Sequence, residues 1–436
     1  MPSLAAVTAL LTETRARRKE QWLTPDELRA RRLARLRRLA AVAARTPYWA
    51  SVFDRAGLRP DTLDDGPALE RLPILDKATV QEHTTEMLTA HHARLFTVRT
   101  SGSTGRPAVF YRTERDQAEV SAIHGRIASV FGRRAFDRQV SIGSGFAAAS
   151  KGPIALLRRI GLLPPMHRLS SLEPVQAQVA AVQRLKPHTI NGYSVALEQL
   201  AEAVLAAGIH DLRPRLVYTG SMATTDRCRL LIQEAFGVRP LDVYAIIEAG
   251  PLAFECPESP GDYHLNDDVQ LLEIVDERGR RLPDGEAGEV VITPLTLFGQ
   301  PLLRYRVSDV AGRRAHRCVC GRGLALLGPV EGRTRQIIRT PDGRALNAAG
   351  IQSAFRAVNG VRRWQVHQTS LDVLRVLLMT GPEWTEATQR ETLALLRARV
   401  GTAVQIQLVP VEEIPMTAGG KLQVIVPLPE EDGSSS

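Results

Sequence analysis

Cysteine and aromatic residues are scarce in this sequence. Of its 436 residues four are cysteine, and Phe, Trp and Tyr together make up 5%. Four cysteines do not form a disulfide framework in so long a chain. No segment approaches the roughly 20 apolar residues that a membrane-spanning helix needs. The basic residues near the N-terminus follow the apolar run, the reverse of a secretory signal. We therefore expect a soluble, cytoplasmic protein without a membrane span.

Acidic residues are scarce in the first 45 positions, which hold eleven Arg and Lys against four Asp and Glu. This segment thus carries +7 of the net charge of +9. So basic a segment is typical of an arm that binds nucleic acid or an anionic membrane. An apolar stripe nevertheless recurs there at helical spacing, formed by Leu28, Leu33, Leu36 and Leu39. Thr24, with Pro25 after it, is a typical helix start. The pattern favours a packed, arginine-rich helix, and the nucleic-acid arm remains the alternative.

Short strands and helices alternate in the middle of the chain. The predicted strands are His188–Gly192, Arg215–Thr219 and Leu241–Ile246, and the predicted helices are Thr113–Arg134, Val195–Ala207 and Thr225–Phe236. This alternation implies a parallel sheet covered by helices. Antiparallel strands are predicted after it, at Val269–Asp276, Gly288–Thr293 and Leu302–Arg306. A last module has predicted strands Arg363–His367, Val373–Met379 and Val404–Val409 and a helix Thr385–Val400. With 44% hydrophobic residues the chain has enough apolar side chains for two or three domains.

One loop between two predicted strands is rich in hydroxyls and glycine. It reads Thr100-Ser101-Gly102-Ser103-Thr104-Gly105-Arg106-Pro107, with four side-chain hydroxyls and two glycines. Glycine lets the backbone approach an anion closely, and the hydroxyls add hydrogen-bond donors, so the loop suits phosphate. It is not a Walker loop, because GxxxxGK[ST] is absent. A flexible Ser/Gly turn is the alternative.

Four further positions carry candidate functional side chains. Glu248 follows a predicted parallel strand, where α/β sheets place ligands, and a carboxylate there can hold Mg²⁺ against phosphates. Asp309 follows Arg304-Tyr305-Arg306-Val307-Ser308 and is placed to bind ribose hydroxyls. Gly332 and Arg333 begin the last module. Lys421 lies on a glycine-flanked loop, where a mobile ammonium can meet a developing negative charge.

These motifs, in this order, resemble those of the adenylate-forming enzymes: acyl-CoA synthetases, adenylation domains and luciferases. More narrowly, the chain looks like the phenylacetate–CoA ligase branch and its CapK-like relatives. Three features indicate that branch, namely Thr46-Pro47-Tyr48, Leu72-Pro73-Ile74-Leu75-Asp76-Lys77 and Cys318-Val319-Cys320-Gly321-Arg322. The resemblance runs from about Thr46 to Lys421.

The resemblance implies an α/β fold in two parts. A large N-terminal domain has parallel sheets and an antiparallel β subdomain, and a small, mobile α+β C-terminal domain acts as a lid. We place a helical lead-in at 1–90, the adenylating core at 91–331, the lid at 332–428 and a disordered tail at 429–436.

The resemblance also implies two half-reactions. A carboxylate attacks the α-phosphate of ATP to give an acyl-adenylate and pyrophosphate, and a thiol or amine then displaces AMP. CoA is the expected acceptor, so the chain is expected to be an AMP-forming acid–thiol ligase that uses ATP, Mg²⁺ and CoA. An amine, a carrier protein or a hydroxyl that receives AMP is an alternative, and a homodimer is a further expectation.

The resemblance implies roles for five groups of residues. The residues expected to bind the phosphates are Thr100, Ser101, Gly102, Ser103, Thr104 and Gly105. Those expected to make the remaining nucleotide contacts are Gly220, Ser221, Tyr244, Asp309 and Arg333. Glu248 holds Mg²⁺, and Lys421, Glu248 and Arg333 form the catalytic set, with Lys421 acting mainly in the transition state. The residues expected to contact the acyl group are Tyr193, Thr219, Ala245 and Ile247. Arg335 occupies the hinge.

Several positions depart from the family pattern. Ile247 stands where relatives carry Ser or Thr, Ala245 and Ser308 stand where they carry Gly, and Arg335 replaces a common Asp or Lys. Ile247 removes a hydroxyl near the adenylate, so either the acyl substrate or the catalytic efficiency is expected to be unusual. A non-catalytic protein that binds a nucleotide or nucleic acid is therefore kept as an alternative function.

Cys256, His264, Cys318 and Cys320 provide three thiols and one imidazole, a ligand set typical of structural zinc. The pairs lie far apart in sequence, so only the fold can bring them together. Three buried thiols and a loop histidine are the alternative interpretation.

Overall fold

The computed structural model describes residues 4–92, 95–100, 108–134, 136–143, 166–330, 332–333, 337–356, 358–417 and 422–428. It divides into two compact units. The first comprises Met1–Val307 and Ala311–Pro329, and the second comprises Ser308–Val310 and Val330–Ser436. No helix within the described ranges combines the length and apolarity required to cross a bilayer.

The described helices lie mostly in the first unit. In chain order they are α1 (Leu4–Glu20), α2 (Pro25–Ala43), α3 (Pro47–Ala56), α4 (Pro67–Glu70), α5 (Lys77–Glu82), α6 (Glu114–Val130), α7 (Val175–Leu185), α8 (Ser194–Ala206), α9 (Asp226–Phe236), α10 (Ala348–Arg356) and α11 (Glu386–Val400). Two 3-10 turns occupy Pro60–Thr62 and Thr85–Met87.

The described strands follow the same chain order. They are β1 (Phe96–Arg99), β2 (Val109–Arg112), β3 (Gln139–Gly143), β4 (Met166–Ser170), β5 (Thr189–Tyr193), β6 (Leu216–Gly220), β7 (Leu241–Ile246), β8 (Gly250–Cys256), β9 (Ser259–Leu265), β10 (Gln270–Val275), β11 (Ala287–Pro294), β12 (Tyr305–Gly312), β13 (Leu326–Leu327), β14 (Gly332–Arg333), β15 (Ile338–Arg339), β16 (Ala345–Leu346), β17 (Val361–Ser370), β18 (Val373–Thr380), β19 (Gln405–Pro410) and β20 (Ile425–Val426).

An eight-stranded sheet organises the first unit, in the order β13-β9-β8-β7-β6-β5-β3-β4. Strands β4, β3, β5, β6 and β7 are parallel, and β8, β9 and β13 extend the sheet with antiparallel pairs. The carboxyl ends of the parallel strands therefore meet at one edge, the usual place for a ligand. The predicted parallel sheet is confirmed, and the β8–β9 extension was not predicted.

Helices cover both faces of this sheet. One face packs Val140, Ile142, Ile190 and Val217 against apolar side chains of α7, α8 and α9. The other packs Leu216, Leu241 and Val243 against Ile123, Ile127 and Phe131 at and just after α6. Alternate residues of each strand thus face different helices, as the pleat requires. Only glycine fits at position 192 of β5, because a Cβ atom there would lie 2.3 Å from the carbonyl oxygen of Ile142.

The basic N-terminal helices are packed against the first unit. Thr24 caps α2 through a reciprocal capping box with Glu27, and Leu28, Leu36 and Leu39 are buried. Arginines of α1 and α2 form ion pairs with acidic residues of the same unit, including Arg17–Asp268, Arg31–Glu20, Arg32–Asp267 and Arg35–Glu20. The packed-helix interpretation of this segment is confirmed.

Strands β10 and β11 are antiparallel, and β12 follows β11 in the order of that sheet. The predicted strand Leu302–Arg306 is wrong in its bounds, since β12 begins at Tyr305. Arg304 has φ of +51°, and its guanidinium donates to the carbonyl oxygen of Leu72 and lies against Glu273. This left-handed residue, tied down by its side chain, delays the start of the strand.

The second unit has its own α+β core. Its sheet has the order β19-β18-β17-β20, in which β17 and β18 are antiparallel and β19 and β20 add in parallel. Ile351, Phe355, Leu396 and Val400, from α10 and α11, belong to the same apolar cluster as Val376 of the sheet. The mixed α/β fold predicted from the sequence is confirmed.

Candidate functional site

The hydroxyl-rich loop connects β1 and β2, which pair as an antiparallel hairpin. Ser101, Gly102, Ser103, Thr104 and Gly105 lie outside the described residues. Their flanks are described. The Thr100 N–H donates to the carbonyl oxygen of Ala108 at 3.0 Å, and Thr100 Oγ1 accepts from the Ala108 N–H at 2.9 Å. Thr100 therefore joins the two ends of the loop.

Glu248 lies just beyond β7, at the carboxyl edge of the large sheet. Its side chain is half-buried, and Oε1 accepts a hydrogen bond of 3.2 Å from the hydroxyl of Tyr305. Arg112, at the end of β2, donates to the carbonyl oxygen of neighbouring Ile247. The carboxylate is therefore hydrogen-bonded by an aromatic hydroxyl and interacts electrostatically with a cation that bonds the adjoining backbone, an arrangement suited to a metal-binding oxygen.

Arg112 is nearly inaccessible, with 6% of its surface exposed. Burial lowers the pKa of its guanidinium, and the carboxylates of Asp116 and Glu248 oppose this shift. Asp116 also accepts from the backbone N–H groups of Phe298 and Gly299. Sequence reasoning missed Arg112 and the hydroxyl of Tyr305, and strand alternation on β2 was the only signal for the arginine.

Strand β6 ends at Gly220, which with Ser221 is among the predicted nucleotide contacts. The hydroxyl of Thr219 is buried and donates to Asp242 Oδ1 at 2.7 Å. Asp242 also accepts from Thr224 and, at its other oxygen, from Tyr263. The Thr219 side chain thus anchors the segment internally. Ser221 has φ of +69°, so the chain turns sharply after Gly220.

The predicted acyl-contacting residues lie on β5, β6, β7 and the loop after β7, with Thr219 on β6. Tyr193 ends β5, and Ala245 lies near the end of β7. Tyr244 neighbours Ala245 on β7, and its side chain is half-buried. Ile247 is 44% exposed, unusual for so apolar a side chain. These residues occupy the carboxyl edge of the sheet, together with Glu248.

Asp309 lies in the part of β12 that belongs to the second unit, where its Cα pairs with that of Arg333 in β14. Ser308 before it has φ of +67°, a conformation in which the family's usual glycine would be free of strain. The structure thus makes neighbours of Asp309 and Arg333. Arg335 and Lys421 lie outside the described residues.

The predicted cysteine–histidine cluster forms in the first unit. The ligand atoms of Cys256, His264, Cys318 and Cys320 all lie within 4.8 Å of one another. His264 Nε2 is 3.2 Å from the sulfur of Cys320, and the sulfurs of Cys256 and Cys318 are 3.5 Å apart. Burial lowers the pKa of His264 to about 4, so its ring is neutral, the form that binds metal.

Strand pairing explains how the cluster assembles. Cys256 ends β8, and His264 lies in β9, which pairs with β8. β13 pairs with β9 on its other side, with Leu326 opposite His264, and this brings in the preceding loop that carries Cys318 and Cys320. Such spacings suit a tetrahedral metal, since three thiolates and one imidazole are a structural zinc set.

Comparison with known proteins gives consistent matches. Residues 338–427 match the family model of the CapK C-terminal domain. The chain is 27% identical over 445 residues to the phenylacetate-coenzyme A ligase of Thermus thermophilus, covering 94% of this chain and 98% of that protein. It is 30% identical over 301 residues to the enzyme of the same name from Pseudomonas putida, covering 65% and 66% of the two chains. Protein CapK of Staphylococcus aureus is 22% identical, covering 81% of this chain and 79% of that protein.

Solved structures share the fold. A 2-hydroxyisobutyryl-CoA ligase in complex with an acyl-adenylate superposes with a TM-score of 0.79 at 19% identity, over 94% of this chain and 91% of that one. An anthranilate CoA ligase gives a TM-score of 0.56 at 18% identity, over 77% and 67%. The fold is therefore that of adenylate-forming ligases.

Similarity over 94% of this chain to a phenylacetate-coenzyme A ligase narrows the family from adenylate-forming enzymes in general to one branch of them. The chain belongs to the adenylate-forming superfamily, in its branch of phenylacetate–CoA ligases and CapK-like proteins. The resemblance inferred from the order of the sequence motifs is confirmed.

Proposed function

We propose that this protein is an ATP-dependent, AMP-forming ligase that joins a small carboxylic acid to the thiol of CoA. The observation that carries the proposal is the similarity to a phenylacetate-coenzyme A ligase over 98% of that enzyme's length. A carboxylate held at the carboxyl edge of the parallel sheet, that of Glu248, supports it.

The first half-reaction forms the acyl-adenylate. An oxygen of the substrate carboxylate attacks the α-phosphorus of ATP, and the bond from that phosphorus to the pyrophosphate oxygen breaks. Glu248 would hold Mg²⁺, which supplies positive charge to the phosphates. Thr100 fixes the ends of the loop assigned to the β- and γ-phosphates. Asp309 and Arg333 are assigned to the ribose and phosphate, and Lys421 to the charge that develops in the transition state.

The second half-reaction releases AMP. The sulfur of CoA attacks the acyl carbonyl carbon, and the bond from that carbon to the AMP oxygen breaks. We assign Arg335 to the hinge about which the second unit changes orientation between the two steps. Lys421 is needed only for the first step in this scheme, because the charge it meets is gone once pyrophosphate has left.

We also propose that Cys256, His264, Cys318 and Cys320 hold one structural zinc ion. The donor set has the stoichiometry of a closed structural site. The proximity of four donor atoms from two strands and one loop supports this. The ion would crosslink β8, β9 and the loop before β13.

The test of the main proposal is ATP–pyrophosphate exchange with Mg²⁺ and a panel of aryl, aliphatic and amino acids, without acceptor. Acid-dependent exchange is expected. CoA, an amine and a carrier protein are then offered separately, and CoA is expected to give a thioester and stoichiometric AMP. Exchange followed by transfer only to an amine or carrier protein would overturn the choice of acceptor. Absence of exchange with every acid would overturn the proposed function.

A further inference from the structure

A chain of polar side chains crosses the face of the large sheet that packs against α6. Arg133 donates to Gln139 Oε1 at 2.9 Å. Gln139 Nε2 in turn donates to Asn191 Oδ1 at 2.6 Å and to the Tyr218 hydroxyl at 3.2 Å. Asn191 Nδ2 donates to Ser141 Oγ at 3.0 Å. Three neighbouring strands, β3, β5 and β6, therefore contribute to one hydrogen-bonded network.

The register places this network directly below the carboxyl edge of the sheet. Ser141, Asn191 and Tyr218 are Cα partners across β3, β5 and β6. Two residues further along β3 and β6, on the same face, come Gly143 and Gly220. Neither position has a side chain that could cover the network. Ala245, which is assigned to the acyl group, packs with Tyr218 against the apolar cluster of this face, whereas Tyr193 packs against the cluster of the opposite face. The network therefore forms the floor of the region beside Ala245.

Tyr218 has a hydrogen-bond donor to offer at this floor. Its oxygen accepts from Gln139, and the Arg133 guanidinium also faces it. Burial raises the pKa of Tyr218, so the hydroxyl stays protonated at neutral pH. Among the residues that the structure describes, none accepts the hydrogen of this hydroxyl. Tyr218 is half-buried, so a ligand in this region can reach its hydroxyl, and a ligand oxygen is the group that can accept this hydrogen.

His124 of α6 adds a second polar group near Arg133. Its side chain is exposed, and partial desolvation together with the cations of Arg112 and Arg133 lowers the pKa of its imidazole. These causes favour the neutral form of the ring. The region thus offers neutral donors and a guanidinium, where a hydrocarbon substituent would find no partner for them.

We propose that the acid adenylated by this protein carries, besides its reacting carboxylate, an oxygen substituent that accepts a hydrogen bond from Tyr218. Hydroxy- or oxo-substituted carboxylic acids are the class that fits. This inference rests on the proposed function and specifies its substrate. An apolar acid of the same shape would enter the same region but leave the phenolic donor unpaired.

The experiment compares acids in matched pairs, such as phenylacetate with 3- and 4-hydroxyphenylacetate, and butyrate with 3-hydroxybutyrate. ATP–pyrophosphate exchange gives kcat/KM for each. We expect at least one substituted acid to exceed its partner by about 10-fold or more, because a site built to bond a hydroxyl discriminates against the analogue that lacks it. Tyr218→Phe should remove this ratio and leave exchange with the unsubstituted acid within about 3-fold, since only one donor is lost.

Two controls keep the outcome interpretable. Tyr48→Phe removes a phenolic hydroxyl on α3, away from the large sheet, and should leave every ratio unchanged. Gln139→Leu, which removes the donor to the Tyr218 oxygen, should lower the ratio if Tyr218→Phe does not fold. Exchange that favours the unsubstituted acid in every pair would overturn this inference while leaving the proposed function intact. Equal slowing of both members of a pair by Tyr218→Phe would also overturn it.

Discussion

Tyr305 donates its phenolic hydrogen to Glu248, with 3.2 Å between the hydroxyl oxygen and Oε1. The two residues come from different sheets: Tyr305 begins β12, whereas Glu248 follows β7 of the parallel sheet. The bond fixes the orientation of a carboxylate that the proposed function assigns to Mg²⁺. Arg112, bonded to the carbonyl oxygen of Ile247, holds the adjoining backbone.

We expect Tyr305→Phe to raise the Mg²⁺ concentration for half-maximal exchange roughly 10-fold, as removal of an outer-shell partner does for metal ligands. Glu248→Gln should raise it more, because the charge itself is lost. Magnesium titrations of the exchange reaction measure both shifts. Glu234→Gln, at an exposed carboxylate of α9, is the matched control. An unchanged magnesium dependence in Glu248→Gln would contradict the role of that residue.

Lys421 is assigned to the first half-reaction alone, so its substitution should affect the two half-reactions differently. We expect Lys421→Ala to reduce adenylation by roughly 100-fold or more, since such donors act where charge develops in the transition state. Thioester formation from chemically prepared acyl-adenylate and CoA should change by less than about 3-fold. Single-turnover assays of each step give the comparison, with Lys19→Ala on α1 as control. Equal loss in both steps would show that the lysine has a different role.

The cysteine–histidine cluster predicts a metal content. Purified protein should contain about one zinc per chain, as the ligand set implies. Cys318→Ser should lose the zinc and lower the melting temperature, whereas Cys228→Ser should retain it, because Cys228 lies in α9 and bonds to the carbonyl oxygen of Ser194. Elemental analysis and thermal unfolding measure the two effects. Metal-free protein of undiminished stability would refute the zinc site.

A buried ion cluster ties α1 and α6 to the loop before β10. Asp268 is fully buried and accepts from Arg126 at 2.8 and 2.9 Å and from Arg17 at 3.3 Å. Asp268→Asn should lower the free energy of unfolding by about 3–5 kcal/mol, because buried cations lose their partner. Arg29→Gln, which removes a largely exposed guanidinium from an Asp65 that keeps its ion pair with Arg32, should change the free energy of unfolding by less than about 1 kcal/mol. Urea denaturation distinguishes the two.

The same carboxyl predicts a pH dependence. Burial acts to raise the pKa of Asp268, but the guanidinium groups of Arg126 and Arg17 hold it at about 2, below its ordinary value of 3.8. A carboxyl group whose pKa is lower in the folded state stabilises the fold at every pH above its ordinary pKa. This contribution is lost as the pH falls through the pKa of the folded state. The stability difference between the wild type and Asp268→Asn should therefore be constant above about pH 5 and shrink towards pH 2. A difference that stays constant across this range would contradict the assigned ionisation.

Local pattern predicted much of the fold. The predicted strand Leu241–Ile246 has the bounds of β7, and Thr24 caps α2 as its capping signature indicates. The alternation of strands and helices in the sequence was sufficient to predict the parallel sheet. β8 and β9 were missed because Gly250–Cys256 and Ser259–Leu265 contain glycine, proline and charged residues that single-sequence reasoning assigns to loops.

The candidate site was less accessible to sequence reasoning. The ligand set of the cysteine cluster could be named, but its assembly depends on the pairing of β13 with β9. The bond between Tyr305 and Glu248 joins residues 57 positions apart. The network around Tyr218 likewise depends on the register of three strands. Contacts of this kind follow from tertiary packing, which no local pattern encodes.

The ion pair between Arg17 and Asp268 spans 251 positions of the chain. Translation at about 5–20 residues per second separates the synthesis of the two residues by roughly 10 to 50 seconds. Throughout that interval the arginine can pair with Glu119 of α6 but has no Asp268 to meet. The ion cluster at the N-terminal helix is thus completed only after more than half of the protein has been made.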